Sequence, residues 1–199
     1  FVNFEDFITP DALMAVSRDA KPRKLKTLPP RFDNRGVRVE QRFAKSADGT
    51  EIPYFLVFGA GHKADESTPT LLYGYGGFEI SLTPRYMASV GKLWLERGGA
   101  FAMANIRGGG EFGPKWHAAA KKENRQRAFD DFIAVAEDLI KTKVTTSAQL
   151  GIMGGSNGGL LVGATVTQRP ELFNAVVCQE PLLDMIRYTK LLAGASWAA

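Results

Sequence analysis

Leu150-Gly-Ile-Met-Gly-Gly-Ser156-Asn-Gly-Gly-Leu160 is a short apolar run that breaks into glycines around one serine and one asparagine. It reads as strand, tight turn, helix, with the strand over 149–153 and a helical run over 160–167 that Arg169-Pro170 stops. Gly154, Ser156 and Gly158 satisfy GxSxG, the pattern in which a serine on a strained strand-to-helix turn points its hydroxyl out of the sheet. A turn that sharp brings backbone against backbone, so the flanking positions exclude a Cβ. The motif alone is a common accident of glycine-rich loops; the strand before it and the helix after it are what make Ser156 a candidate nucleophile.

Working outward, the chain alternates strands and helices. Period-two patterning predicts strands near 37–46 and 51–59, joined by turn chemistry at Ser46-Ala-Asp-Gly49. Further strands are predicted near 69–75, 100–106, 149–155 and 174–179, and helices near 84–97, 129–142 and 157–168. Thr83-Pro84 reads as a helix start, with Met87, Val90, Leu93 and Trp94 on one face and a stop at Gly98-Gly99. Asp130 and Asp131 fall in the predicted first turn of the next helix and Lys141 and Lys143 in its last, the charge order the helix dipole favours. This rhythm implies an α/β fold, a mostly parallel sheet with helices on both faces opened by an antiparallel hairpin. Residues 1–35 differ in texture, with Phe1, Val2, Phe4, Phe7 and Ile8 spaced like an edge strand before a Pro- and Lys-rich passage, and carry too little apolar surface to fold alone.

With 199 residues and 45% apolar composition, one sizeable core is expected and two full domains are not. The net charge of +4 is spread along the chain except at 21–26, read as a solvated linker, so no nucleic-acid partner is implied. Cys178 is the single cysteine and cannot form an intrachain disulfide, compatible with a reducing compartment and also with many exported bacterial proteins. No apolar run approaches the ~20 residues of a membrane span, so no membrane partner is expected. The first residue is Phe and no signal-peptide pattern follows, so the expectation is an excised piece of a longer soluble chain, cytoplasmic, with the periplasm as the alternative.

Four motifs carry a more specific likeness. Leu72-Tyr-Gly-Tyr-Gly-Gly-Phe78, Ala104-Asn-Ile-Arg-Gly-Gly-Gly-Glu111, Phe129-Asp-Asp-Phe132 and Gly154-Gly-Ser-Asn-Gly-Gly159 together resemble the prolyl oligopeptidase family of serine peptidases, from about Val37 to the end. The resemblance implies an α/β-hydrolase fold truncated after about its sixth strand, with residues 1–35 as the tail of a preceding propeller domain and hinge, and 36–199 as the N-terminal part of the catalytic domain. It implies cleavage of short proline-containing peptides after proline. Ser156 takes the nucleophile's place, and Tyr75 and the backbone N–H of Asn157 those of the oxyanion donors. Trp197 and Phe78 match the aromatics that line the proline pocket. Such donors suit acyl transfer, because the transition state concentrates charge on one oxygen. Taken without the family, Tyr75 is equally an aromatic capping a strand, and Trp197 a core aromatic near the terminus.

Two other patterns are set aside. Gly108, Gly110 and Gly113 spell GxGxxG with Asp130 about 20 residues on, yet Pro114 follows at once and the acidic pair opens a helix, against the dinucleotide-binding context. His62 and His117 both precede Ser156, whereas this fold orders nucleophile, acid, histidine along the chain. Neither is expected to be the triad base. No metal-ligand spacing exists, so no metal or cofactor is expected. The 199 residues therefore read as holding an elbow without its triad Asp and His, close to inert alone and completed by the missing C-terminal part of their own chain. The sixth strand, left as an edge, is expected to drive self-association. The other readings are an esterase or dipeptidyl-peptidase-like hydrolase with the same elbow, and a non-catalytic folded fragment. Glu180, at an otherwise apolar strand end, has no assigned role.

Overall fold

The computed structural model describes residues 1–18, 20–62 and 68–197; part of the polar loop expected at 59–68 lies outside them. Strands β1 (Val2–Phe4), β2 (Ala12–Ser17) and β3 (Ala20–Thr27) form a small antiparallel sheet. The lysine-rich stretch expected as a linker is thus strand β3, exposed along its whole length. Its backbone pairs with β2 on one side, while a row of cationic side chains suits an outer edge that takes no further strand. The apolar residues of this N-terminal region are used elsewhere: Phe7 and Phe32 are buried against Val57, Leu95, Phe101 and Met103 of the main body.

The main sheet contains β4 (Arg38–Lys45), β5 (Glu51–Phe58), β6 (Thr70–Tyr73), β7 (Ala100–Ala104), β8 (Leu150–Gly155) and β9 (Ala175–Gln179). Their order is β4-β5-β7-β6-β8-β9, antiparallel through β4, β5 and β7 and parallel from β7 to β9. All six predicted strands are present. Strand β7, Ala-Phe-Ala-Met-Ala, shows why the centre is apolar on both faces: Ala100, Ala102 and Ala104 meet one core, Phe101 and Met103 the other. The alanine face leaves room for helix α3 (Gln126–Lys141), whose Phe132, Val135 and Leu139 are fully buried there beside Leu161 of α4 (Asn157–Gln168). Burying each such side chain is worth about 2 kcal/mol.

Two helix expectations are corrected. The first helix, α1, runs over Ala88–Leu93 with a 3-10 turn at Leu95–Arg97, so Thr83-Pro84 does not start it and Leu93 is exposed. The cause is tertiary: the Tyr86 N–H is donated to the Glu5 carboxylate at 3.0 Å, Phe32 stacks on Tyr86, and residues 81–87 are held out of the helix. Helix α3 begins at Gln126, which moves Asp130 and Asp131 out of its first turn. Asp131 is instead completely buried and accepts from the Arg107 guanidinium (2.6 and 2.9 Å), the Arg107 N–H (3.0 Å) and the Ser46 hydroxyl (2.6 Å). Arg107 also reaches Asp48 at 2.5 Å, so one cation ties β7, α3 and the β4–β5 turn together.

Hydrogen bonding to Asp131 raises the Arg107 pKa, and hydrogen bonding to Arg107 holds the Asp48 carboxyl well below the usual range. Arg107→Ala is expected to cost about 3–5 kcal/mol by leaving Asp131 charged, dry and short of partners. Asp48→Asn, at a side chain 42% exposed, is expected to cost under about 1 kcal/mol. Because the folded pKa of Asp48 is depressed, its contribution is present above about pH 4 and fades as pH falls below that. Urea unfolding at pH 7 measures both variants, and equal losses would refute the assignment.

Candidate active site

The predicted turn is where the sequence placed it. Strand β8 ends at Gly155, α4 begins at Asn157, and Ser156 between them has φ 57° and ψ −116°. That conformation is costly for a residue with a side chain, on the order of 1–3 kcal/mol, and persists only when its surroundings enforce it. The Ser156 N–H is donated to the Gln179 carbonyl of β9 at 2.9 Å, and the Ser156 carbonyl accepts from Leu160 N–H at 3.1 Å. A Cβ on Gly154 would stand 2.2 Å from the Gly158 carbonyl oxygen. The glycines therefore let strand end and helix start touch, and the serine is the residue turned outward.

Tyr75 and Asn157 come together across this junction. The Asn157 side-chain amide is buried and donates to the Tyr75 carbonyl at 2.6 Å; a Cβ on Gly77 would lie 2.4 Å from the same amide nitrogen. As the first residue of α4, Asn157 has a backbone N–H with no intrahelical acceptor. The half-buried Tyr75 has no hydrogen-bond partner for its hydroxyl among the described residues. Phe78 and Trp197 also meet, edge to face, with ring centroids 5.8 Å apart. Phe78 (φ 54°) and Glu79 (φ 56°) are both left-handed, which turns the aromatic out of its loop. Both rings line a cavity of about 630 Å³ whose wall includes Asn157, Leu160, Leu182 and Met185, putting the serine turn at its edge. Pockets of this size suit small ligands or short peptide segments.

Sequence reasoning missed Arg125. It lines the cavity, donates to the Gly76 carbonyl at 2.5 Å and to the Asn157 side-chain oxygen at 3.2 Å, and lies over the Phe129 ring at 5.4 Å. Burial pushes its pKa below the ordinary arginine value. Nothing in the sequence marks it beyond a cation just before a helix.

Of the remaining candidates, His117 lines the same cavity without a hydrogen bond to Ser156, Tyr75 or Asn157 among the described residues, and His62 lies elsewhere. His62 lies against Phe58 and Thr68, at the end of β6 where the strand begins, whereas the elbow follows the far end of the parallel β8. His117 has its Nδ1 2.7 Å from the Gly108 carbonyl and 3.1 Å from the Glu79 amide, so the tautomer selects one bond and the nitrogen serves the loop. The amides of the GxGxxG-like loop go to the chain's own carbonyls: Gly108 to Trp116, Gly109 to Ile106 and Gly110 to Ile80. Glu180 is exposed with φ 42°, just past β9. No group of three potential metal ligands occurs among the described residues, and no helix there is long and apolar enough to cross a membrane.

A mixed sheet, parallel from β7 to β9 and opened by an antiparallel hairpin, with a strained serine between strand and helix, defines the α/β-hydrolase fold. The model of the prolyl oligopeptidase family matches residues 85–197, and the chain belongs to that family of serine peptidases. It is 57% identical over 200 residues to the uncharacterized peptidase y4nA of Sinorhizobium fredii, covering 100% of this chain and 28% of that one. It is 44% identical over 199 residues to the prolyl endopeptidase of Elizabethkingia miricola, again covering 100% of this chain and 28% of the relative. The solved structure of a post-proline cleaving enzyme from Rickettsia typhi superposes with a TM-score of 0.91 at 47% identity, over 98% of this chain and 28% of that chain. The chain thus spans little more than a quarter of the length of these relatives.

The elbow's geometry yields a paired prediction. Gly154→Ala puts a methyl into backbone that cannot yield and is expected to cost about 3 kcal/mol or more. Gly151→Ala, on the same strand with nothing nearer than 3.6 Å, is expected to be close to neutral. Thermal melts of the two variants decide it; similar behaviour would mean the close approach does not hold the turn.

Proposed function

We propose that this chain carries the nucleophile, the oxyanion donors and the proline-binding aromatics of a peptidase that hydrolyses short peptides after proline. The supporting observation is the meeting of Phe78 and Trp197, far apart in sequence, on the wall of the cavity that holds Asn157. A proline ring is compact and apolar, and the joined aromatic surface of the two rings on the cavity wall offers it a face to lie against. The Ser156 oxygen attacks the prolyl carbonyl carbon, and the resulting oxyanion is met by the Asn157 N–H and the Tyr75 hydroxyl. The intermediate then expels the amine to leave an acyl-serine, which water hydrolyses.

A serine hydroxyl needs a base, and neither described histidine is bonded to Ser156. The base and its carboxylate are therefore assigned outside these 199 residues. Without them the chain should turn over a chromogenic post-proline peptide on the order of 10⁶-fold more slowly than a complete triad enzyme, since triad members act as a unit. Turnover by the chain alone that disappears in Ser156→Ala would refute this assignment. In a complete enzyme, comparing proline peptides with simple acyl esters separates the peptidase from an esterase, and failure of Ser156 to react with a fluorophosphonate would favour a non-catalytic role. In a complete enzyme, Tyr75→Phe is expected to lower kcat by about 10²–10³ with KM little changed.

Self-association is part of the same proposal. Among the described residues strand β9 pairs only with β8, and Val176 and Val177 are exposed along it, so its other edge is open to another strand. Sedimentation velocity should show a concentration-dependent dimer or larger species; a monomer at all concentrations would count against the edge as an interface.

A further inference from the structure

We infer that Arg125 is a positioning residue for the two oxyanion donors, an inference that rests on the serine-hydrolase reading of Ser156. The other arginine held inside the molecule, Arg107, is neutralised by Asp131 and Asp48. Among the described residues Arg125 has no carboxylate partner: its guanidinium bonds go to two neutral oxygens, the Gly76 carbonyl and the Asn157 side chain. A cation drawn out of water without a counter-charge lowers stability, consistent with the downward push on its pKa, so its placement calls for a reason other than folding.

The reason lies in which oxygens it holds. Gly76 directly follows Tyr75, and Asn157 directly follows Ser156. The planar fork spans the segments that carry the two donors, and the Asn157 amide closes the ring by donating to the Tyr75 carbonyl. Phe129 beneath the guanidinium fixes the plane of the fork. Loop and helix start are thereby locked to each other at two points, giving a fixed separation between the Tyr75 side chain and the Asn157 N–H. Oxyanion stabilisation depends on that preorganisation, because donors that must reorient during the reaction lose most of their effect. Lysine, with a compact ammonium, can hold one of the two carbonyls but cannot reproduce the planar fork.

The test uses the complete enzyme, in which these residues are joined to the segment that supplies the base, with Arg125→Met and Arg125→Lys, and two measurements. Backbone hydrogen exchange by mass spectrometry reads the order of residues 74–77 and 156–158. The rate at which Ser156 is phosphonylated by a fluorophosphonate, with the oxygen–phosphorus bond forming as fluoride leaves, reads the oxyanion site. Arg125→Met is expected to speed exchange in both segments and to slow labelling by about 10- to 100-fold, with exchange in α3 and β7 unchanged and Arg125→Lys intermediate. Unchanged exchange in the two segments overturns the inference, as does faster exchange with undiminished labelling. Faster exchange throughout the chain overturns it too, in favour of a purely structural role. A complete native enzyme whose Ser156 is never labelled refutes the serine-hydrolase reading itself, an outcome separate from the others.

Discussion

Contact between the start of α4 and the ends of β6 and β8 is the constraint on which the rest of the site depends. A Cβ on Gly154 would stand 2.2 Å from the Gly158 oxygen, and one on Gly158 would stand 2.7 Å from the Gly74 oxygen. Only backbone fits between these elements, so the chain turns within one residue and Ser156 takes a conformation that a side chain resists. The strain is held by what lies below it: Leu150, Ile152, Leu161 and Val162 are completely buried in the core that α3 and α4 share with the sheet. Strand β9 adds the Gln179 carbonyl that takes the serine's own amide. Ser156 is thus held by a well-buried part of the fold, the setting that the proposed role of a preorganised nucleophile needs.

Two arginines illustrate different uses of a charge taken out of water. Arg107 lies between Asp131 and Asp48, and the group is closed, with Ser46 satisfying a remaining carboxylate lone pair. Such a cluster specifies which elements meet more than it adds net stability. Arg125 faces neutral acceptors and stays short of a counter-charge, at the wall of the cavity and next to the serine turn. Incomplete neutralisation is a usual mark of a functional location, since folding alone selects against it.

The aromatic pair extends the same logic to recognition. Phe78 is carried on a loop with two successive left-handed residues, and Trp197 on the short helix α5 (Gly194–Trp197). Neither belongs to either hydrophobic core, and both are nearly half exposed. Two adjoining large aromatics at a cavity wall are the feature on which the proposed recognition of proline rests.

What the sequence determined by itself was local and periodic. Period-two patterning located the first two main strands and short apolar runs the other four, and GxSxG before a helical run located Ser156, because strand, turn and helix signals lie within a few residues of one another. The resemblance of four motifs added Tyr75, Asn157, Phe78 and Trp197, and the fold gathers them into two pairs around one cavity. What only the tertiary structure decided depended on partners distant along the chain. Glu5 and Phe32 delay α1, the charged 21–26 stretch becomes an edge strand because β2 lies beside it, and Asp131 serves Arg107 instead of a helix dipole. Arg125 is the clearest case. Its partners at Gly76 and Asn157 are set by how β6 and β8 lie side by side, a parallel pairing of strands whose intervening chain includes a third strand and the long helix α3. No local pattern encodes that neighbourhood, because the backbone carbonyl of Gly76 places no requirement on residue type and both partners are distant from Arg125 along the chain.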